Sequence, residues 1–422
     1  VRIGQMKKHI ARVIAAGLVP TLLAAGSAAA GDWPQWRGPN RDGLCPETGL
    51  LKEWPPGGPP LLWKAAGLGS GFSGVALAGA RLYTLGERPE GNHVLALNRA
   101  DGKLLWSTRL GKAGAPGWGG FAGPRATPTV DGNLVFALGQ YGEVLCVNAA
   151  DGKQLWSRHL VNDFGGSLPE WGFSESPLVD GEQVLFTPGG ARGTLVALNK
   201  KTGAVIWQSK EWTDDAHYSS IILAEIGGVR QYVQLTDKSV AGVAPKDGKV
   251  LWRAIRKGAT AVIPTPIHAD DRVYVTSGYN IGCNLFKVVR EGEFTATQVY
   301  ANKVMVNHHG GVVKVGANLY GYSEGKGWTC QDFATGEARW QEKNKLGKGS
   351  ILYADGCLYC REEAEKGAVA LLEATPAGYV EKSRFTPPDR SGKKSWPHPV
   401  IADGRLYLRD QDVLLCYNVK AR

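Results

Sequence analysis

Eight histidines occur in 422 residues, and four of them sit beside other groups able to do chemistry. His217 is followed by Tyr218, Asn307 by His308 and His309, and His398 comes two residues after Trp396. Arg125, Glu175 and Lys348 stand in comparable segments, each a short way ahead of an apolar run. Imidazole titrates near neutral pH and ligates metals, so His308 and His398 are candidates for a general base or metal ligands, with Glu175 as acid or third ligand. Arg125, His217, Tyr218, Asn307, His309, Lys348 and Trp396 form a candidate ligand-binding set. In that second reading Trp118, Trp171 and Trp396 offer stacking faces for a small molecule or carbohydrate, while Arg125 and Lys348 hold an anion. The blandest reading makes the same residues the polar lining of a wet channel. His308 and His309 read as strand neighbours pointing opposite ways, so His308 with His398 or His217 is the better pair for one ion. All three readings require the fold to gather residues that lie far apart in the chain.

The element that could do so is a repeat. Val94 to Trp106 reads Val-Leu-Ala-Leu-Asn-Arg-Ala-Asp-Gly-Lys-Leu-Leu-Trp, and Val144 to Trp156 and Leu195 to Trp207 return the same pattern. Ser239 to Trp252 and Trp328 to Trp340 keep the turn and the closing ring, while Leu285 to Tyr300 and Val369 to Phe385 are eroded copies. Each copy is an apolar strand, an Asp-Gly or Thr-Gly turn that permits positive φ, and a short strand ending in an aromatic ring. Between copies runs a second element of strand, turn and strand, as in Thr127 to Phe136 and Ser176 to Phe186. Together the two make four antiparallel strands, which is one propeller blade.

The second element occurs eight times. The closing rings Trp63, Trp106, Trp156, Trp207, Trp252, Tyr300, Trp340 and Phe385 also number eight, spaced 40 to 51 residues apart. Trp63 has no strands before it, and Val413 to Val419 has no ring strand after it. Joining the two completes a final blade and removes the open sheet edge. The expectation is an all-β, eight-bladed propeller over 61–422, with seven blades as the alternative if the eroded copies are not blades. The candidate residues then stand at the entries of successive inner strands and converge on one axis.

The hairpin unit resembles the tryptophan-docking repeat of the pyrroloquinoline-quinone (PQQ) dehydrogenases and of the periplasmic lipoprotein of the outer-membrane Bam complex. Ala197, Asn199, Thr202, Gly203 and Trp207 carry the resemblance most closely. The stretches Asp32 to Gly43, His308 to Gly311 and Trp396 to Pro399 resemble those of exported PQQ-like propellers from planctomycete-type bacteria. The resemblance implies the fold and makes PQQ a candidate cofactor. However, the vicinal Cys-Cys pair and the calcium-site acids of the enzymes are not found, nor is the Cys that would carry the lipid. The docking ring is a packing device, and a fold of this kind hosts many functions.

Met6 to Arg12 is basic, Val13 to Ala25 apolar, and Gly26 to Ala30 small, the order of a secretory signal peptide cleaved after Ala30. The expected organisation is thus signal 1–30, extension 31–60 and propeller 61–422, in a periplasmic or secreted protein without a membrane span. Four of the positive charges behind the net +10 lie in that leader (Arg2, Lys7, Lys8 and Arg12), and the rest are scattered. No basic stripe interleaved with aromatics argues for nucleic acid. Seven Cys do not make a disulfide framework. Cys357 and Cys360 lie in a strand facing opposite ways, unfit for one metal. A monomer is expected, with a small-molecule, carbohydrate or protein partner. It is either a binding scaffold or an enzyme acting at the channel mouth.

Overall fold

The computed structural model describes Val1 and residues 31–117, 121–364 and 366–421. The expected leader and Trp118 lie outside the described residues. Eight antiparallel sheets follow one another along the chain, so the ring has eight blades, not seven. The first blade comprises Ala76–Ala78, Arg81–Arg88, Gly91–Asn98 and Leu104–Gly111, with the short strand innermost and the ring-bearing strand outermost. The last blade is completed as the sequence implies: Leu61–Ala65 pairs antiparallel with Val413–Asn418, and Trp63 lies opposite Cys416.

Adjacent blades are joined by the closing rings. The indole nitrogens of Trp106, Trp156, Trp207 and Trp340 donate to carbonyls of the next blade's turn, at Ala149, Lys200, Pro245 and Thr375. Trp106, Trp156 and Trp207 lie over the turn glycines Gly152, Gly203 and Gly248. At Gly203 φ is +69°, and a Cβ would come within 2.8 Å of the Trp156 ring. Any other residue there meets both backbone strain and a clash. Opposite five of the Trp rings the neighbouring strand carries a small residue, Ala96, Cys146, Ala197, Cys330 or Cys416. All seven Cys are buried free thiols.

Trp63 covers Gly102 without a partner for its indole nitrogen among the described residues, and two further rings depart from the pattern. Trp252 turns its indole onto Gln231 of its own blade rather than onto the eroded fifth blade. In the seventh blade the ring position is held by Ser383, which pairs with Leu371 before the bulge, so Phe385 stands two residues beyond it. Trp54 from the N-terminal extension covers the gap. Its backbone N–H donates to Ser383 Oγ at 3.0 Å, and its ring packs 5.1 Å from Phe385 and 5.8 Å from Tyr359.

The extension also fills the channel. Trp33 bridges to Leu77, the Pro34 carbonyl accepts from Val130, and Trp36 Nε1 donates to Thr265 Oγ1. Arg37 donates to the Val312 carbonyl, and Arg41 donates to Ser176 and Pro177. Leu44–Cys45 then pairs parallel with Tyr353 and Ala354, and the Cys45 thiol faces the Ile401 carbonyl at 3.6 Å. A segment this short reaches inner strands or their entries in seven blades only if it lies on the axis. Arg37 and Arg41 are buried and take φ near +60°. Burial lowers Arg41 to about 9, which leaves it charged at neutral pH.

Replacing Trp156 by Phe keeps an aromatic ring on Gly203 but removes the interblade bond and part of the buried area, so urea denaturation should show a loss of about 2 kcal/mol. Trp156→Ala should cost about 4 kcal/mol through the cavity it opens. Equal effects of the two substitutions would contradict docking through the indole nitrogen.

Candidate functional site

At one mouth of the plugged channel the entry loops enclose a cavity of about 270 Å³. Trp36 of the plug closes it from within, and Phe72, Phe121, Trp171, Tyr218, Tyr279 and Trp396 supply aromatic walls. The rings form a connected series. Trp396 stacks on Phe72 at 4.3 Å and meets Phe121 at 5.0 Å and His309 at 5.4 Å. His309 lies 4.9 Å from His308, whose ring takes the edge of Tyr279 at 4.9 Å. Tyr279 holds φ +55°, an uncommon value for a bulky residue, with its N–H fixed by Glu324 Oε2 at 2.8 Å.

Of the residues picked from the sequence, Arg125, Tyr218, His308, His309 and Trp396 line this cavity, and so does Trp171. Lys348 stands behind His308, its ammonium donating to Nδ1 at 2.5 Å and lying 3.2 Å from Glu324. Burial and the neighbouring His309 and Lys348 push His308 down to about 3, so it stays neutral and accepts through Nδ1. His309 Nε2 donates to Glu363, which also accepts from Trp396 Nε1 at 2.9 Å and lies 3.4 Å from Lys394. Burial opposes ionisation of Glu363, but these partners hold its carboxyl well below the usual carboxylate range. Burial lowers Arg125 to about 10, and one of its nitrogens donates to the Phe121 carbonyl at 2.7 Å.

The expected opposition of His308 and His309 is corrected. Neither is in a strand, because the ladder starts only at Val312. Asn307 Nδ2 donates to the carbonyls of Gly311 and Tyr322, and this loop turns both rings into the cavity. Asn307 itself is buried and contributes only that fastening.

Three other candidates lie away from the cavity. His398 sits beneath it against Trp36, with Nε2 3.1 Å from the His309 carbonyl. Burial pushes it down to about 3, so it is a neutral donor that ties the plug to the sixth-blade entry. It does not meet His308. His217 flanks Tyr218 at 5.4 Å, accepts from Val262 N at 3.4 Å and lies 3.7 Å from Asp237. Glu175 is 1% exposed and accepts from Thr187 and from Gln234 Nε2, linking the third and fourth blades. Sequence reasoning missed Trp36, Phe72, Phe121, Tyr279, Glu324 and Glu363, which stand in loops outside the repeat. Only the aromatic character of those loops hinted at them.

Among the described residues no three His, Cys, Asp or Glu side chains are grouped to hold a metal. Glu324 and Glu363 are already engaged, and the seven Cys are buried within strands. The residues present therefore do not fit PQQ with its calcium, the pair that the sequence resemblance implies.

Four-stranded blades, docking rings and a site at the mouth define a PQQ-like β-propeller. The chain belongs to the family described as outer membrane protein assembly factor BamB, whose model matches residues 90–342. Among solved structures it resembles BamB from Moraxella catarrhalis, at 14% identity and a TM-score of 0.57, covering 79% of this chain and 95% of that one. The quinohemoprotein alcohol dehydrogenase from Comamonas testosteroni is similar at 11% identity and a TM-score of 0.63, over 94% and 82% of the two chains. The computationally designed Ika8 protein aligns at 11% identity and 0.58, over 85% and 99%. Identities this low carry the fold alone. No curated protein matches in sequence.

Burial raises Glu175 to about 7. The folded protein thus holds this proton more tightly than the unfolded chain. Its contribution to stability is largest below the ordinary carboxylate pKa and declines as pH rises towards 7. His308 and His398 act in the opposite sense, losing stability as pH falls below their unfolded value, so a difference curve is needed. Glu175→Gln should gain on wild type by on the order of 3 kcal/mol between pH 4 and pH 8 in chemical denaturation. A flat difference would contradict the burial of an ionisable group there.

Proposed function

We propose that this protein is an exported, monomeric binding propeller whose ligand, a carbohydrate or a small molecule of similar shape, occupies the aromatic cavity at the plugged mouth. The observation that carries this reading is the enclosure of about 270 Å³ by rings from five blade entries, closed beneath by Trp36. A sugar ring has apolar faces and polar edges. The rings match the faces, while Arg125, His308, His309, Ser174 and Ser220 stand along the walls to meet the edges. The concavity suits a small ligand better than a flat protein surface. Its mouth opens onto no through-channel, because the plug occupies the axis.

An enzyme at the same mouth is the second reading, favoured by the Glu363–His309 contact. A buried carboxylate orienting an imidazole is one component of general base catalysis. The remaining acid-base candidates, Glu175 and His398, lie elsewhere and are internally bonded, which supports binding over turnover. No helix among the described residues is long and apolar enough to cross a membrane. The exported location rests on the leader-like N-terminal sequence.

Tryptophan fluorescence titration against a panel of neutral and acidic saccharides should identify a ligand. Trp396→Ala should then weaken it about tenfold, equivalent to roughly 1.4 kcal/mol. Glu175→Gln should leave the affinity as it was. Failure of every saccharide to bind would overturn the proposal, and consumption of a bound saccharide would favour the enzyme.

A further inference from the structure

A second cavity, of about 780 Å³, adjoins the first and shares Phe72 and Phe121 with it. Its character differs. Lys366, Lys393 and Lys394 line it, with Glu362 as the one acid, alongside Ser70 and Gln411. Among the described residues Lys366 and Lys393 make no ion pair, whereas Lys394 lies 3.4 Å from Glu363 Oε1, the carboxylate that also holds His309 and Trp396. The basic compartment and the aromatic wall are thus joined at Glu363. Nearby Arg390 and Asp410 pair at 2.7 Å, which leaves the lysines as the cations offered to a ligand.

We infer that the two cavities form one extended site for an acidic oligosaccharide, with a sugar ring among the aromatics and a carboxylate or sulfate of a neighbouring unit among the lysines. This rests on the carbohydrate reading above. Lys366 and Lys393 are exposed, so their ammonium groups act on an anion through a positive field that is summed over the pocket and screened by salt. Phe72 and Phe121 stand at the border of both compartments, and a chain of sugar units laid over these rings reaches both. A single neutral sugar uses only the first. All three lysines are exposed, so their contribution is moderate and salt-dependent.

Calorimetric titration of the full-length protein with an acidic oligosaccharide and its neutral counterpart of the same backbone tests this. The acidic form should bind at least about fivefold more tightly at low salt, and the ratio should fall towards one as salt is raised. The double variant Lys366→Ala/Lys393→Ala should collapse the ratio, with an unchanged thermal midpoint showing that it folds. Equal affinities for the two sugars, or a ratio indifferent to the lysines, would overturn the inference and leave the carbohydrate reading standing. Binding of neither sugar overturns both. An acidic peptide of equal charge that binds as tightly as the acidic sugar would overturn the assignment of a carbohydrate.

Discussion

In five of the eight blade contacts an aromatic ring is laid on a turn glycine that cannot carry a side chain. The two halves of this contact come from different repeats, so neither is useful without the ring closing. Trp156 needs the carbonyl of Lys200 and the bare face of Gly203, and Trp63 covers Gly102 only because its strand has joined the final blade. The interaction combines aromatic burial with one directional hydrogen bond, and the glycine permits both at once. It sets the spacing of the blades, and the spacing sets how far the entry loops stand from the axis.

An eight-bladed ring leaves a wide axis, and here the axis is filled by the chain's own N-terminal extension. The chemistry of that filling is unlike the chemistry of the blades. Arg37 and Arg41 reach backbone carbonyls at the ends of inner strands, groups that no strand partner satisfies on that side. Guanidinium suits the task because it presents several donors in a fixed plane and stays charged when burial lowers its pKa. Because Trp36 caps the plug, the mouth becomes a closed bowl, and binding there is separated from passage through the ring.

The repeat was legible because every one of its parts is local: alternation for a strand, Asp-Gly or Thr-Gly for a turn, Trp for the end. Closure through Trp63 followed from counting those parts. The seventh blade was misread at its ring because Ser383 takes the place beside the bulge that an aromatic fills in the other blades, and Phe385, the ring that composition offers, lies two residues on. The plug has no period, and most of its polar partners are backbone atoms that leave no mark in the sequence. Among the candidate residues, the blade entries gave direction but not depth. Arg125, Tyr218, His308, His309 and Trp396 reach the cavity, whereas Glu175, Asn307 and His398 stop in the packing beneath it.

That difference in depth follows from what each side chain meets first. Glu175 and Asn307 are short and find Thr187 or neighbouring carbonyls within the blade, so their polarity is used before they can reach the mouth. Trp396 is long and is drawn instead to Phe72 and to Glu363 of the two flanking blades. His308 and His309 escape strand alternation because Asn307 holds their loop off the sheet. The groups left facing the cavity are therefore mostly rings, with their polar atoms turned towards partners at the rim. Such a surface favours a ligand with flat apolar faces, and leaves Arg125 and the lysines of the adjoining pocket as sources of unneutralised charge.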